Sequence, residues 1–314
     1  MRALVTGAAG FVGSHLAEAL LARGDSVVGV DCFTPYYDRV DKELNVATAF
    51  AHDEFELIEA DLRIADIAEL LDGVDVVFHQ AAQAGVRLSW SEGFTDYVGH
   101  NVLATQRLLE AVQVARPHAR VVYASSSSVY GNQARYPTTE TDLPRPFSPY
   151  GVTKLGAEHL CGLYAENWGI HTVSLRYFTV FGPRQRPDMS IHRLCEAAVR
   201  GTSFPRYGDG TQIREFTYVS DIVAANLAAT ERAVTPGTYL NIAGGAEITL
   251  NDLIALVGDV AGAPVAIEQG PRQAGDSTRN GGSIARARDA LGWEPHVSLR
   301  DGIAAQVEWH RSRV

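Results

Sequence analysis

The sequence predicts an α/β fold, with a doubly wound parallel sheet followed by a smaller C-terminal lobe. Two observations support this prediction. As far as residue 181, short apolar runs alternate with stretches of helical spacing, which is typical of repeated strand–helix–strand units. From Gly182 onward, proline, glycine and arginine become frequent and the elements become shorter. We therefore expect one domain over residues 1–181 and a lobe formed mainly by residues 182–314.

The elements of the first domain follow in order from local pattern. The first helix has Leu16, Ala19 and Leu20 on one face, and Gly24 ends it. Short runs rich in aliphatic and β-branched residues predict strands. The predicted strands cover residues 3–6, 26–30, 55–59, 74–79, 120–124 and 172–177, and the predicted helices cover residues 14–23, 97–115 and 150–168. A strand near residues 238–242 is expected to return to the main sheet.

Composition limits the class of protein. The chain has 314 residues, 46% of them hydrophobic, and a net charge of −10, which disfavours nucleic acid as a partner. No apolar run approaches the roughly 20 residues of a membrane helix, and the N-terminus lacks the apolar stretch of a signal peptide. Cys32, Cys161 and Cys195 have no metal-like spacing. We therefore expect buried free thiols, no metal site, no membrane partner and a cytoplasmic location.

A glycine-rich loop joins the first predicted strand to the first predicted helix. Gly7, Gly10 and Gly13 allow a tight turn and a close approach of the backbone to a pyrophosphate, and the helix N-terminus offers free N–H groups to that anion. Asp31 ends the second predicted strand, where a carboxylate would bond a ribose diol and repel a 2′-phosphate. No arginine follows at once, so NAD is favoured over NADP. The sheet is therefore expected to be of the Rossmann type; the alternative is a glycine turn made only for packing.

A tyrosine and a lysine share one face of the helix predicted at residues 150–168. Tyr150 and Lys154 have i, i+4 spacing. A free tyrosine has a pKa near ~10, and a neighbouring ammonium favours its phenolate and lowers that pKa. The chain has only two lysines, Lys42 and Lys154. Lys42 is expected to be exposed in a charged stretch, whereas Lys154 stands where acid–base chemistry needs a cation; the alternative is a helix-surface pair.

Together these motifs resemble the short-chain dehydrogenase/reductase superfamily in its extended branch, which has the same G-x-x-G-x-x-G spacing. In that superfamily, the third catalytic hydroxyl lies four residues before the tyrosine of V-Y-G, which is Ser126 here. The resemblance implies that Ser126 aligns the substrate hydroxyl, Tyr150 is the base and Lys154 tunes it. Asn101 falls at the position of a structural asparagine in the superfamily. The cofactor-binding residues implied are Gly7, Gly10, Phe11, Val12, Gly13, Asp31, Asp61, Leu62, Ala81, Ala82, Gln83, Asn101, Tyr150, Lys154, Tyr177 and Val180.

The second half of the chain is most similar to the nucleotide-sugar epimerases and dehydratases of that branch. The resemblance rests on Y-G-D-G, R-E-F-T-Y-V and G-D stretches beginning at Tyr207, Arg214 and Gly275. It implies a UDP-sugar as substrate, with an arginine on its diphosphate. The substrate-binding residues expected are Arg87, Ser127, Ser128, Thr179, Arg186, Tyr207, Arg214, Arg272 and Asp276.

Three residue choices narrow the expected reaction. Related 4,6-dehydratases carry Asp-Glu where this chain has Ser127 and Ser128, and related UDP-glucuronate decarboxylases carry a glutamate at the second place. UDP-glucose 4-epimerases usually have asparagine where Thr179 stands. The stretch from Thr179 to Met189 is instead similar to UDP-glucuronate 4-epimerases, and Arg186 adds a cation for a C6 carboxylate. We therefore expect NAD-dependent C4 epimerisation of UDP-glucuronate to UDP-galacturonate.

Other functions stay open at this point. The same fold could act as a UDP-glucose 4-epimerase or as a UDP-glucuronate decarboxylase. A protein that binds NAD without catalysis is the least favoured, because such proteins tend to lose the tyrosine or the lysine. The helices predicted at residues 97–115 and 150–168 resemble those that form a four-helix dimer interface in the superfamily, so a homodimer is expected.

Overall fold

The computed structural model describes residues 1–271 and 277–314. Its strands, in chain order, are β1 (Arg2–Thr6), β2 (Ser26–Asp31), β3 (Phe55–Glu59), β4 (Val76–His79), β5 (Arg120–Ser126), β6 (Thr172–Tyr177), β7 (Thr179–Phe181), β8 (Ser203–Tyr207), β9 (Ile213–Tyr218), β10 (Thr238–Ile242), β11 (Glu247–Thr249) and β12 (Ala266–Gly270). Its α-helices are α1 (Phe11–Ala22), α2 (Arg39–Val46), α3 (Ile67–Leu70), α4 (Phe94–Tyr97), α5 (Ala104–Ala115), α6 (Pro149–Trp168), α7 (Ser190–Arg200), α8 (Val219–Glu231), α9 (Leu250–Ala261), α10 (Ala285–Leu291) and α11 (Leu299–Arg311).

The main sheet has the doubly wound architecture that the sequence predicts. Within the described residues, seven strands pair in the order β10-β6-β5-β4-β1-β2-β3, and each neighbouring pair is parallel. The strand order reverses between β1 and β4, and a crevice opens at such a point beyond the carboxyl ends of the strands. The predicted α/β fold class is confirmed, and the reversal fixes where a ligand site should lie.

Helices cover both faces of this sheet. On one face, Leu16 and Leu20 of α1 pack with Ile222 of α8 in one buried cluster. On the other face, Leu108 of α5 and Ala157 of α6 lie in a second buried cluster. Burial of apolar area on both faces explains why the parallel strands read as nearly continuous apolar runs.

The chain after residue 182 contributes both to the main-sheet domain and to the lobe. β10 pairs with β6 at the stretch where the sequence predicts a returning strand, and α8 packs on the face of α1, which local pattern did not indicate. The lobe consists of the small sheets β11-β9-β7 and β12-β8. Its own apolar cluster joins α7, α9 and α11. Among the described helices, none is long and apolar enough to cross a membrane.

Two helices differ from their predicted bounds. α1 begins at Phe11 rather than residue 14, so Gly13 lies inside its first turn. The helix predicted at residues 97–115 is interrupted by a π-helical segment, Val98–Leu103, between α4 and α5. Such π-turns accommodate an extra residue and are frequent at functional sites. Here the turn contains Asn101, whose contacts are described below.

Candidate active site

A cavity of about 800 Å³ lies beyond the carboxyl ends of the main-sheet strands, between that sheet and the lobe. Its wall includes the glycine loop after β1, the loops after β2 and β4, the end of β5 and the start of α6. Residues of β7, β8 and β9 line the opposite side. The cavity therefore lies at the point where the strand order reverses.

The glycine loop is packed so closely that side chains would not fit. Gly7 has φ +69°, and a Cβ there would lie 2.8 Å from the backbone nitrogen of Ala81. A Cβ on Gly13 would lie 2.1 Å from the carbonyl oxygen of Gly7. Gly10 precedes α1 and has no side chain to cap the helix, so the N–H groups of the first turn face the cavity side and suit a pyrophosphate.

Two carboxylates mark the end of the cavity beyond β2 and β3. Asp31 accepts hydrogen bonds from the backbone N–H groups of Phe33, at 2.8 Å, and Ala9, at 3.2 Å. Burial raises the pKa of Asp31, and these two bonds oppose that rise. Asp61 pairs with Arg63 at 2.7 Å, and this bond lowers the pKa of Asp61. These donors and acceptors fit the adenosine half of a dinucleotide.

Asn101 does not line the cavity, contrary to its place among the predicted cofactor-binding residues. It is 1% exposed. Its Oδ1 accepts the backbone N–H of Gln83 at 2.7 Å, and its Nδ2 donates to the Gln83 carbonyl and to Thr153 Oγ1, both at 3.0 Å. The side chain of Asn101, in the π-turn, lies between the loop after β4 and helix α6. Asn101 therefore holds the loop at Gln83, and Gln83 lines the cavity.

Ser126, Tyr150 and Lys154 all line the cavity. Ser126 ends β5, and the other two lie on consecutive turns of α6, which begins at Pro149 and is capped by Ser148, whose side chain accepts the N–H of Gly151. The predicted triad is thus brought together by the end of one strand and the start of one helix.

The environments of Tyr150 and Lys154 shift their proton affinities. Burial raises the pKa of Tyr150, whereas the charge of Arg186 and a hydrogen bond with Ser126 lower it. Burial lowers the pKa of Lys154 to about 7. The Lys154 ammonium donates to the Ala124 carbonyl at 2.7 Å, which holds it beside the end of β5. A tyrosine and a lysine with shifted pKa values in one cavity can perform proton transfer.

The four serines after β5 divide into two groups. Ser125 is buried and donates to Glu158 Oε2 at 2.6 Å, and Glu158 pairs with the buried Arg176. Ser126, Ser127 and Ser128 line the cavity, and Ser126 Oγ accepts the Ser128 N–H at 3.1 Å. The first serine thus anchors the strand, and the other three present hydroxyl groups to the ligand space.

A cation and a further hydroxyl reach the cavity from the segment that follows β6. Thr179 Oγ1 accepts a bond from Asn280 at 3.3 Å. Arg186 pairs with Asp188 at 2.9 Å, and Asp188 also accepts the hydroxyl of Tyr36 at 3.2 Å. These residues line the same cavity as Tyr150. Thr179 and Arg186 were predicted as site residues from the sequence, whereas Tyr36 and Asp188 were not, because they lie in loops that show no periodicity.

Of the other predicted substrate contacts, Arg87 follows β4 in the main domain, whereas Tyr207 and Arg214 belong to the lobe strands β8 and β9. Arg87 lies over the Tyr207 ring, with Cζ 4.5 Å from the ring centre, and both line the cavity. Arg214 also lines it, but its Nη1 and Nη2 donate to the carbonyls of Ile213 and Ser277 at 2.8 and 2.7 Å. Two nitrogens of its guanidinium therefore already donate hydrogen bonds to backbone carbonyls. The predicted contacts Arg272 and Asp276 lie outside the described residues.

Lys42 and Cys32 differ from what the sequence analysis expects. Lys42 is 4% exposed rather than exposed, and its Nζ donates to the Thr34 carbonyl at 2.8 Å. Cys161 and Cys195 are buried free thiols, whereas Cys32 is half-buried and lines the cavity. Lys42 also lines the cavity, so both lysines of the chain stand at this site. The scarcity of lysine was the sequence signal that could have indicated Lys42.

Comparison with known proteins agrees with this geometry. The model of the NAD dependent epimerase/dehydratase family matches residues 3–243. The uncharacterized UDP-glucose epimerase YtcB of Bacillus subtilis (strain 168) is 41% identical over 98% of both chains. The probable UDP-glucuronate 4-epimerase of Rhizobium meliloti (strain 1021) is 34% identical over 99% of this chain and 97% of its own.

A solved structure is similar over the full length. The UDP-glucuronic acid 4-epimerase of Bacillus cereus, in complex with UDP-glucuronic acid and NAD, matches with a TM-score of 0.96 and 39% identity, covering 100% of both chains. The family match, the shared fold and the tyrosine–lysine pair beside a glycine loop all lead to the same conclusion. The chain belongs to the NAD dependent epimerase/dehydratase family, in the extended short-chain dehydrogenase/reductase branch, and is an NAD-dependent nucleotide-sugar 4-epimerase.

Proposed function

We propose that this epimerase converts UDP-glucuronate to UDP-galacturonate by inverting C4 through a 4-keto intermediate, without loss of CO₂. One observation carries the proposal: Ser127, Ser128, Thr179 and Arg186 line the same cavity as Tyr150. Three hydroxyls and a guanidinium beside the base suit a sugar with a carboxylate at C6. A neutral C6 hydroxymethyl group would offer no anion to the edge of the guanidinium that Asp188 does not occupy.

The chain's own residues move the proton. Tyr150, as phenolate, removes the proton from the sugar O4, while Ser126 aligns that hydroxyl. The charge of Arg186 lowers the pKa of Tyr150, and Lys154, fixed on the Ala124 carbonyl, adds a cation when protonated. NAD, held along the glycine loop, Asp31 and Lys154, supplies the acceptor and later the donor of the C4 hydride. The keto sugar then turns over in the cavity, and Tyr150 returns the proton to O4.

The carboxylate contacts also account for the absence of decarboxylation. The 4-keto intermediate is a β-keto acid, and its C5–C6 bond breaks most readily when that bond is perpendicular to the plane of the C4 carbonyl. Donors from Ser127, Ser128, Thr179 and Arg186 hold the carboxylate so that this alignment is avoided. Ser128 stands where related decarboxylases carry a glutamate, so no acid at this position can protonate C5.

A UDP-glucose 4-epimerase is the second candidate function. It is favoured by YtcB, a relative named as a UDP-glucose epimerase that is 41% identical. Arg186 and Thr179 favour the uronate instead, because both line the cavity and a guanidinium with a hydroxyl suits a carboxylate. A decarboxylase is disfavoured by Ser128, and a non-catalytic NAD-binding protein is disfavoured by the presence of both Tyr150 and Lys154.

NMR spectroscopy of a single incubation tests the proposal. The NAD-loaded protein is mixed with UDP-glucuronate, and the anomeric and H4 signals of the products are followed. We expect UDP-galacturonate to form until equilibrium, with no UDP-pentose. The Tyr150→Phe variant serves as the control and should lower the rate by roughly 10²–10⁴-fold, the usual contribution of a general base. A UDP-pentose as main product, or no turnover of the uronate, would contradict the proposal.

The assembly and location belong to the same proposal. Apolar residues stay exposed on the two helices that resemble a dimer interface, among them Leu103, Val152, Leu163 and Trp168. Exposed apolar area of this kind supports pairing of two copies into a homodimer. A cytoplasmic location remains a prediction from cysteine usage.

A further inference from the structure

Arg186 is held by one edge of its guanidinium only. Its Nε and Nη2 donate to the two carboxylate oxygens of Asp188, at 2.9 and 3.0 Å. A guanidinium has a second edge, formed by Nη1 and the other hydrogen of Nη2, which also matches a carboxylate. Within residues 1–271 and 277–314, no hydrogen-bond partner occupies Nη1. Asp188 therefore leaves free the edge that a substrate carboxylate can use.

Asp188 is itself fixed across the cavity. Burial alone would raise the pKa of Asp188, but the charge of Arg186 and its hydrogen bonds hold that pKa below the usual value, so the pair is ionic. The Tyr36 hydroxyl donates to Asp188 Oδ2 at 3.2 Å. Tyr36 comes from the segment between β2 and α2, and Asp188 from the segment between β7 and α7. The contact joins the cofactor side of the cavity to the segment that carries Arg186.

The backbone beside Arg186 is held by hydrogen bonds of the neighbouring Gln185 side chain. Gln185 is 1% exposed. Its Oε1 accepts the His192 N–H at 2.8 Å and the Gln306 Nε2 group at 2.9 Å, and its Nε2 donates to the Val180 carbonyl at 2.8 Å. Because the backbone is held, the direction of the guanidinium depends on its side-chain partners. The side-chain partners are Asp188, through two hydrogen bonds, and the Tyr36 ring, whose centre lies 5.7 Å from the Arg186 Cζ.

We propose that Asp188 is a positioning residue that fixes the orientation of Arg186 and thereby keeps the substrate carboxylate in the geometry that resists decarboxylation. This inference rests on the proposed function, since it concerns the C6 carboxylate. Without Asp188, Arg186 keeps its charge and still attracts the uronate, but its free edge no longer points in one direction. The carboxylate is then no longer held in one place, and the sugar ring can change its pucker until the C5–C6 bond lies perpendicular to the plane of the C4 carbonyl.

Loss of CO₂ in that geometry follows ordinary β-keto acid chemistry. The C5–C6 bond breaks, and its electron pair moves to C5 and onto the C4 carbonyl oxygen to give an enolate. A proton from solvent then adds at C5. The product is a UDP-4-keto-pentose, and the hydride taken from C4 stays with the protein. Each such turnover therefore releases one CO₂ and leaves one NADH.

Asp188→Asn is the direct test, because it keeps the shape of the side chain and removes its charge. UDP-glucuronate labelled with ¹³C at C6 is incubated with the NAD-loaded protein, and labelled CO₂ and bicarbonate are compared with labelled UDP-galacturonate by NMR. We expect the ratio of CO₂ to epimer to rise roughly tenfold or more, since small misplacements of a positioned group change rates by such factors. Binding of UDP-glucuronate should not weaken more than a few-fold.

Two further variants separate positioning from loss of structure. Asp188→Glu retains the charge and should bring the ratio back toward the wild-type value. Asp72→Asn makes the same charge change at an exposed site and should leave the ratio unchanged. If Asp188→Asn epimerises UDP-glucuronate with the wild-type ratio, the inference is overturned and the proposed function stands. If the wild-type protein does not epimerise UDP-glucuronate, the proposed function fails and this inference fails with it.

Discussion

Neighbouring groups shift the pKa of Tyr150 in opposite directions. Burial and the charge of Asp188 raise its pKa, while the charge of Arg186 and the bond with Ser126 lower it. Arg186 thus has two roles at one site, since it tunes the base and faces the expected carboxylate. Tyr150 was predicted from its spacing to Lys154, and Ser126 and Arg186 were predicted from the resemblance to known families. Tyr36 and Asp188 could not be predicted, because their contact joins loops 152 residues apart.

Arg186→Gln should shift the pH dependence of catalysis. A general base works when deprotonated, so kcat rises as pH passes through the pKa of Tyr150. Removing the cation that lowers this pKa raises it, and the rising limb of the kcat profile moves to higher pH. The profile is measured at saturating UDP-glucuronate. Arg39→Gln, a change in an exposed arginine paired with Glu43 and Glu59, is the control; equal profiles for the two variants would exclude the effect.

At the scale of elements, the loops of the active site depend on buried polar contacts between secondary structures. Asn101 links the loop after β4 to α6 through its π-turn. Glu158 of α6 links Ser125 of β5 to Arg176 of β6. Periodicity predicted each of these strands and helices, because apolar burial sets their pattern. It could not predict the π-turn at Val98–Leu103, because a single inserted residue has no periodic signal of its own.

Asn101→Ala should lower both the free energy of unfolding and the affinity for NAD. The change leaves the Gln83 N–H and carbonyl without their side-chain partner, which costs roughly 1–3 kcal/mol for each buried group left unsatisfied. The loop at Gln83 lines the cavity, so we expect the Kd for NAD to rise on the order of tenfold, equivalent to about 1.4 kcal/mol. Denaturant unfolding and calorimetric titration measure the two quantities.

Asn167→Ala is the matched control for that experiment. Asn167 is exposed on α6, and its amide donates only to the Leu163 carbonyl one turn earlier. The same chemical change there should alter stability by no more than about 0.5 kcal/mol, as is usual at exposed sites, and leave NAD affinity unchanged. Equal losses in the two variants would show that Asn101 has no special role at the cavity wall.

At the scale of the whole molecule, the active-site cavity lies between the main-sheet domain and the lobe. The main sheet brings the glycine loop, Asp31, Ser126 and Tyr150 to one edge, and the chain after β6 brings Arg186 and the lobe against it. The sequence predicted the doubly wound sheet and the returning strand, because parallel strands and their crossovers leave a strong local signal. It did not predict α8 on the main sheet, because the apolar residues of this helix do not indicate which neighbour covers them.

Different residues contact the C4 and C6 groups of the sugar under the proposed function, so similar chains can differ in substrate. Under the proposed function, the main sheet and α6 bring the hydride and proton chemistry to C4, and Ser127, Ser128, Thr179 and Arg186 recognise the group at C6. Relatives named for UDP-glucose and for UDP-glucuronate both match this chain along nearly its whole length. Under the proposed function, preference between the two sugars depends on a few side chains rather than on the fold.

A direct competition tests the central claim, that the C6 carboxylate is the recognised group. Equimolar UDP-glucuronate and UDP-glucose are mixed with a catalytic amount of the NAD-loaded protein, and both C4 epimers are followed by NMR in one tube. The ratio of initial rates gives the ratio of kcat/KM values. We predict that UDP-galacturonate forms at least about 100-fold faster than UDP-galactose, since an ionic contact worth roughly 3 kcal/mol corresponds to this factor. Equal rates, or faster formation of UDP-galactose, would contradict the account.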